Sequence, residues 1–150
     1  MLEKFASKIL GLGLMFYFFA SFQTTGYFIQ DSNLPASDTR KIIATTFGQP
    51  RVVSSNGREL FSLYHNDKFE SLEDTESTPE RFYTKTTILG AKRPFEIQIE
   101  VVWERYELET DAYVYSGVSE DLSFRRANAL RKSLKEAVEA GIKLDGDVPF

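Results

Sequence analysis

The sequence predicts an α+β domain behind an N-terminal signal or anchor helix, and three observations carry that expectation. Residues 95–103 alternate apolar and polar side chains with period two, the pattern of a strand with one dry and one wet face. Residues 119–141 carry an apolar stripe at helical spacing, opened by a Ser and closed by a Gly. Residues 9–20 form an unbroken apolar run preceded by Lys4 and Lys8.

Composition narrows the class further. The 150 residues suffice for one domain, and 13 Phe and 7 Tyr favour strands and a real core over disorder. The net charge is −4. Nucleic-acid binding in general needs a basic surface to neutralise phosphates, so an acidic chain argues against it. The chain has no cysteine. That excludes disulfides, Cys-ligated zinc, iron–sulfur clusters, thiol catalysis and lipidation on cysteine.

Residues 1–30 have the layout of an export signal: a positive start, then the twelve apolar residues from Ile9 to Ala20. Cleavage after Ala20 would place Phe18 at −3, where a small residue is wanted. Thr24 and Gly26 offer a second weak site. Retention as a single-span anchor is the competing outcome, since Ile9 to Ile29 gives 21 uncharged residues, close to the length that spans a bilayer. In both cases Lys4 and Lys8 stay cytoplasmic and the domain crosses to the periplasmic or extracytoplasmic side. The expected division is leader or anchor 1–30, linker 31–36, domain 37–145 and tail 146–150.

The elements follow in order. A helix is expected to start near Pro35 or Ser37, with Asn33 or Ser37 as its cap. Ile43 and Phe47 share one face of it at i, i+4, and Gly48 and Pro50 stop it. "RVVS" and "RELFSLYH" flank Asn56-Gly57, a signal for a two-residue hairpin turn. On the second of these strands Phe61, Leu63 and His65 are expected on one face, Leu60 and Tyr64 on the other. "NDKFESLEDTESTPE" predicts an exposed, mobile loop. "RFYTKTTIL" and "FEIQIEVVWERYE" are the clearest strands, joined by the turn "GAKRP", and "AYVYSGV" is a fifth. The last helix runs from about Ser119 to Ala140, with Leu122, Ala127, Leu130, Leu134, Ala137 and Val138 as its stripe. The predicted order is therefore helix, four or five antiparallel strands, helix, with both helices on one face of the sheet.

Chemistry is harder to find. His65 is the one histidine, and a Ser–His–Asp reading would enlist Ser62 and Asp67. Adjacency in sequence is no triad, and a histidine at a strand end is the simpler account. Glu70, Glu73, Asp74 and Glu76 are hard oxygen ligands, yet their spacing does not match a calcium loop. Glu96 and Glu100 sit on one strand face about 13 Å apart, too far for the carboxylate pair of a glycosidase. No phosphate loop, dinucleotide fingerprint or zinc motif is present. No catalytic residue, metal or cofactor is expected.

Arg125, Arg126, Arg131, Lys132 and Lys135 make the outer side of the last helix basic, a candidate surface for anionic lipid or an acidic partner. Glu136 and Glu139 offset part of that charge. Gly48, Pro50, Asn56 and Gly57 form a compact corner whose expected role is structural. It aims the first hairpin.

The stretch "RKIIATTFGQPRVVSSNGRELFSLYHND" (40–67) resembles the small BamE-like (SmpA/OmlA) envelope domains. There a helix ends in a Gly-x-Pro corner, followed by a strand, a turn and an aromatic strand. The matching residues are Ile43, Phe47, Gly48, Pro50, Asn56, Gly57, Phe61 and Tyr64. The resemblance implies an exported, non-enzymatic domain that binds partners and lipid during outer-membrane protein assembly. Two features depart from that pattern: there is no lipobox cysteine, and a long helix follows the sheet. The expected function is a non-catalytic envelope interaction or scaffold domain, binding another envelope protein. One alternative is a periplasmic ligand-binding protein or hydrolase with a cleft between sheet and helices, lined by Tyr64, Tyr83, Tyr113, Tyr115 and Trp103. Another is a secreted inhibitor or toxin-like domain.

Overall fold

The computed structural model describes residues 26–141. The elements are β1 (Tyr27–Ser32), α1 (Ala36–Phe47), β2 (Val52–Val53), β3 (Glu59–Phe61), β4 (Glu80–Leu89), β5 (Phe95–Glu107), β6 (Ala112–Val118) and α2 (Glu120–Glu139). The class is α+β. The six strands form one antiparallel sheet in the order β1-β5-β4-β3-β2, with β6 paired to β5 as well. The apolar run Ile9–Ala20 and the tail 146–150 lie outside the described residues. Among the described residues no helix is long and apolar enough to cross a membrane.

The strand β1 corrects the expected boundaries. The sequence puts residues 27–32 at the end of the leader and the start of a linker, but they pair with Phe95–Ile99 of β5. Ile29 and Ser32 are buried there, so the domain begins by Tyr27 and a span reaching Ile29 is not available. Gly26 marks the entry. Its φ is +125°, and a Cβ there would stand 2.9 Å from the Ile99 carbonyl oxygen, so the close approach to β5 requires glycine.

The long strand β5 organises the sheet. On one side it pairs with β4 along ten residue pairs. Its other side is shared end to end, by β1 along residues 95–99 and by β6 along 102–107. In the gap between them, α2 satisfies the Val101 backbone. The Ser119 N–H donates to the Val101 carbonyl at 2.9 Å, and the Val101 N–H donates to Ser123 Oγ at 2.8 Å. This clamp fixes the start of α2 on the sheet. Ser119 also caps the helix as expected, its side chain accepting from the Leu122 N–H.

The sheet has one dry face. Thr84, Thr86 and Ile88 of β4 lie opposite Val101, Ile99 and Ile97 of β5, and all six are buried. Leu130 and Ala127 of α2, Ile42 and Ile43 of α1, and Leu60 and Ile29 complete one cluster with Ile97, Ile99 and Ile88. Both helices therefore cover the same face. Within the expected stripe of α2, Val138 is the exception. It is 60% exposed.

Three local expectations change. α1 has Pro35 at its N-cap and no side-chain cap; neither Asn33 nor Ser37 serves. The Asn56-Gly57 pair lies in a wider loop, because Val53 pairs with Leu60 and the chain between them turns with Gly57 N–H on the Ser54 carbonyl. Gly57 alone of the pair has positive φ, +67°. Gly57→Val is expected to destabilise the domain by about 1–2 kcal/mol, since a β-branched residue resists that conformation; thermal melts of the full chain followed by circular dichroism read it, and an unchanged midpoint contradicts the turn assignment. Third, an extra residue sits after β3. Phe61 pairs with Lys85, but His65 pairs with Phe82. Four residues on one strand thus face three on the other, a bulge that reverses the side-chain alternation. Phe61 and Tyr64 end on the open face, while Leu60, Ser62 and His65 turn inward.

Candidate functional site

Nine alternating positions in three cross-strand rows build the face turned away from the helices. Phe61, Lys85 and Glu100 form one cross-strand row, Tyr83, Val102 and Val118 the next, and Arg81, Glu104 and Tyr115 the third. These are the neighbours in sequence of the buried positions, so the pleat alone points them outward. Both helices lie on the opposite face, and the loop 66–79 reaches this one at Arg81 and Tyr113.

The rows are knitted by guanidinium groups lying on aromatic rings. The Arg51 guanidinium, just before β2, is 4.4 Å from the Tyr64 ring centre and 5.0 Å from that of Tyr83. Arg81 lies 3.9 Å from the Tyr64 ring and 3.7 Å from the Tyr113 ring. Its Nε donates to Glu104 Oε2 at 2.7 Å, and its Nη1 donates to the Thr75 carbonyl at 3.3 Å. The Tyr113 hydroxyl donates to the Thr78 carbonyl at 2.5 Å. The loop 66–79, expected to be mobile, is thereby tied to the sheet at Thr75 and Thr78. Lys85 meets Glu59 at 3.1 Å. This outer pair is partly exposed and adds at most about 1 kcal/mol. Partial burial, then the nearby Glu104 carboxylate, push the Tyr83 hydroxyl above its ordinary pKa, so it stays a neutral donor.

This face offers flat rings held in place by arginine, with Tyr115 exposed by 67% and Val52 by 47%. Tyrosine and arginine supply large contact area and directed donors, and both are enriched where proteins dock. The cleft expected between sheet and helices is corrected by the register: Tyr64, Tyr83, Tyr113 and Tyr115 lie on the open face, while Trp103 pairs with Phe82 on the helix side. The concavity on the helix side is a groove of about 350 Å³ between the end of α2 and the β1–α1 connection. Ile29, Leu34, Leu134 and Val138 line it, with Arg131 and Lys135 at its rim.

The other expected residues fall apart. Ser62 Oγ donates to the Leu63 carbonyl and accepts from the Thr84 N–H. His65 Nδ1 meets the Asn66 carbonyl at 2.8 Å, so it carries the proton, and Nε2 accepts from Thr84 Oγ1 at 3.1 Å. Asp67 is exposed. The Ser–His–Asp reading is therefore wrong, because both ring nitrogens and the hydroxyl are already engaged. Burial is the main reason His65 is held down to about pKa 4, with the Arg126 charge a smaller cause. In the acidic loop Glu70 accepts from Asn66 Nδ2, and Asp74 is turned back on its own loop. Among the described residues no three His, Asp or Glu side chains converge on a metal position.

The basic side of α2 is dispersed by its own geometry. Lys132 and Lys135 sit 3.9 Å and 3.8 Å from Glu136 and Glu139 at i, i+4. Arg131 donates to Asn128. Arg125 and Arg126 instead turn towards Phe69, and Arg126 is half-buried. Of the corner residues, Gly48 ends α1 with φ +87° and Pro50 borders a small pocket beneath Phe47. Sequence reasoning missed Arg51 and Arg81 altogether. Each precedes or opens a strand, and only the cross-strand register shows which rings they cover. Compared with known proteins, the chain matches no family model, no curated protein and no solved structure.

Proposed function

We propose that this is a non-catalytic interaction domain that docks another protein of the cell envelope on the open face of its sheet. The observation that carries the reading is the open-face array of Phe61, Tyr64, Arg81 and Tyr83, half-buried, with Arg51 and Tyr115 exposed. A monomer that folds for stability alone covers such rings or replaces them with short polar residues. The export-like start of the chain supports placement on the extracytoplasmic side of a membrane, with residues 9–20 as signal or anchor. The resemblance of residues 40–67 to BamE-like envelope domains supports the same class of function. The groove at the end of α2 favours small-ligand binding, with an aliphatic floor and the ion-paired Lys135 and Glu139 among its lining.

The test is recovery of a partner from detergent-solubilised membranes with C-terminally tagged protein. Arg51→Ala with Tyr83→Ala is expected to lower partner yield by about tenfold or more, since arginine and tyrosine truncations at a contact centre cost above 1 kcal/mol each. Lys132→Ala, on the opposite side, is expected to leave it unchanged. Equal recovery by all three proteins overturns the assignment.

A further inference from the structure

The first two turns of α2 hold a cationic cluster that the fold leaves incomplete. Arg125 and Arg126 place their guanidinium carbons 5.0 Å and 4.0 Å from one ring centre, that of Phe69. Arg126 also lies 4.8 Å from the Phe47 ring. Among the described residues neither arginine forms an ion pair, although other cations of α2 do. The Arg126 Nε is buried without a hydrogen-bond partner. A half-buried guanidinium with no acid is costly, and folded chains normally pair such a charge. The ring that flanks both arginines is itself held under strain: Phe69 has φ +65°, a left-handed conformation that a bulky residue rarely adopts. His65, 5.2 Å from that ring, is buried and hydrogen-bonded as the neutral imidazole, so it adds no counter-charge.

We propose that Arg125 and Arg126 are a receptor for one carboxylate, an Asp or Glu side chain of a protein partner. A guanidinium edge presents parallel N–H donors that match the two oxygens of a carboxylate in one plane. The flanking Phe47 and Phe69 rings give apolar walls that suit a flat, singly charged group carried on a peptide. A phosphate, more highly charged and strongly hydrated, loses more on entering between phenyl rings. This contact is separate from the open sheet face and adds a second, charged point to the interaction reading. It stands or falls apart from that reading, because a small carboxylate probes it without the partner.

The experiment uses the full chain in an uncharged detergent, following the arginine Nε–H resonances by NMR while sodium acetate is added. Saturable shifts of Arg126 and Arg125 are expected with acetate and not with sodium chloride at equal ionic strength. Arg126→Lys, which keeps the charge and loses the fork, is expected to weaken the acetate response by about tenfold. Arg126→Met is expected to abolish it while leaving the melting temperature unchanged or raised, since an unpaired buried charge gives way to an apolar chain. Equal drift with acetate and chloride overturns the proposal. So does saturation by phosphate at lower concentration than acetate, which would make this a phosphate site. A lowered melting temperature in Arg126→Met, with Arg126→Lys binding acetate as wild type does, also overturns it.

Discussion

Leu130→Ala is expected to cost about 2–5 kcal/mol of folding stability, the largest single effect of any aliphatic truncation on α2. Leu130 is 0% exposed and belongs to the cluster that joins α2 to Ile97, Ile99 and Ile88 of the sheet and to Ile42 and Ile43 of α1. Two helices and the sheet close around it, so the cavity left by truncation cannot collapse from any one side. Domains of this size are stable by roughly 5–15 kcal/mol, so the loss is a large fraction of the total. The melting temperature is expected to fall by roughly 10 °C or more. Val138→Ala, two turns later on the same apolar stripe, is the control. Its side chain is 60% exposed, and its change should stay within about 0.5 kcal/mol. Urea unfolding of both variants of the full chain measures the contrast. Equal effects would mean that α2 does not pack on the sheet as described.

The second large effect is a loss of stability in mild acid, traced to His65. The folded chain holds this imidazole down to about pKa 4 from an ordinary value of 6.5, mainly because it is buried. Its Nδ1–H is given to the Asn66 carbonyl and its Nε2 accepts from Thr84, so neither nitrogen has room for another proton. As pH falls below 6.5 the unfolded chain takes up a proton that the folded chain refuses, and unfolding is favoured. The effect is absent at pH 7.5, grows between pH 6.5 and 4, and reaches roughly 3 kcal/mol at its limit. His65→Gln removes the titration while keeping a side chain able to accept from Thr84. Its stability is expected to vary less with pH across that window than the wild type's. Parallel curves for the two proteins would contradict the neutral, buried assignment.

The fold was legible where one residue pattern decided the outcome. β5 and β4 alternate because one face packs under the helices, and α2 shows its stripe, its Ser119 cap and its glycine stop in the letters themselves. β1 was not legible. Tyr27–Ser32 continues an apolar leader and has no alternation of its own. What makes it a strand is the free edge of β5 and the close approach at Gly26, and both are tertiary facts. The orientation of Phe61, Tyr64 and His65 failed for a similar reason. A bulge of one residue between Phe61 and His65 reverses the alternation, and its cause lies in the pairing with β4 rather than in residues 62–64 themselves.

The candidate site was legible in its parts and not in its assembly. One alternative reading of the sequence lines a cleft with the tyrosines and Trp103. The paired strands put them on the opposite face, because Tyr83 lies across from Val102 while Trp103 lies across from Phe82. Period two was obscured at that point by Val101 and Val102, which are both buried and are neighbours. Likewise five basic residues on α2 looked like one surface. Helix geometry gives two of them carboxylate partners and turns Arg126 inward, which a count of charges does not reveal.

Photo-crosslinking from the open face tests the central claim most directly. A benzophenone amino acid is placed at Tyr115 in one full-length protein and at Lys132 in another, and each is irradiated in the native membrane. The account predicts a discrete protein adduct from position 115, reduced by Arg51→Ala, and none from position 132. An adduct from Lys132 alone, or no adduct from Tyr115, would contradict a docking function for the sheet.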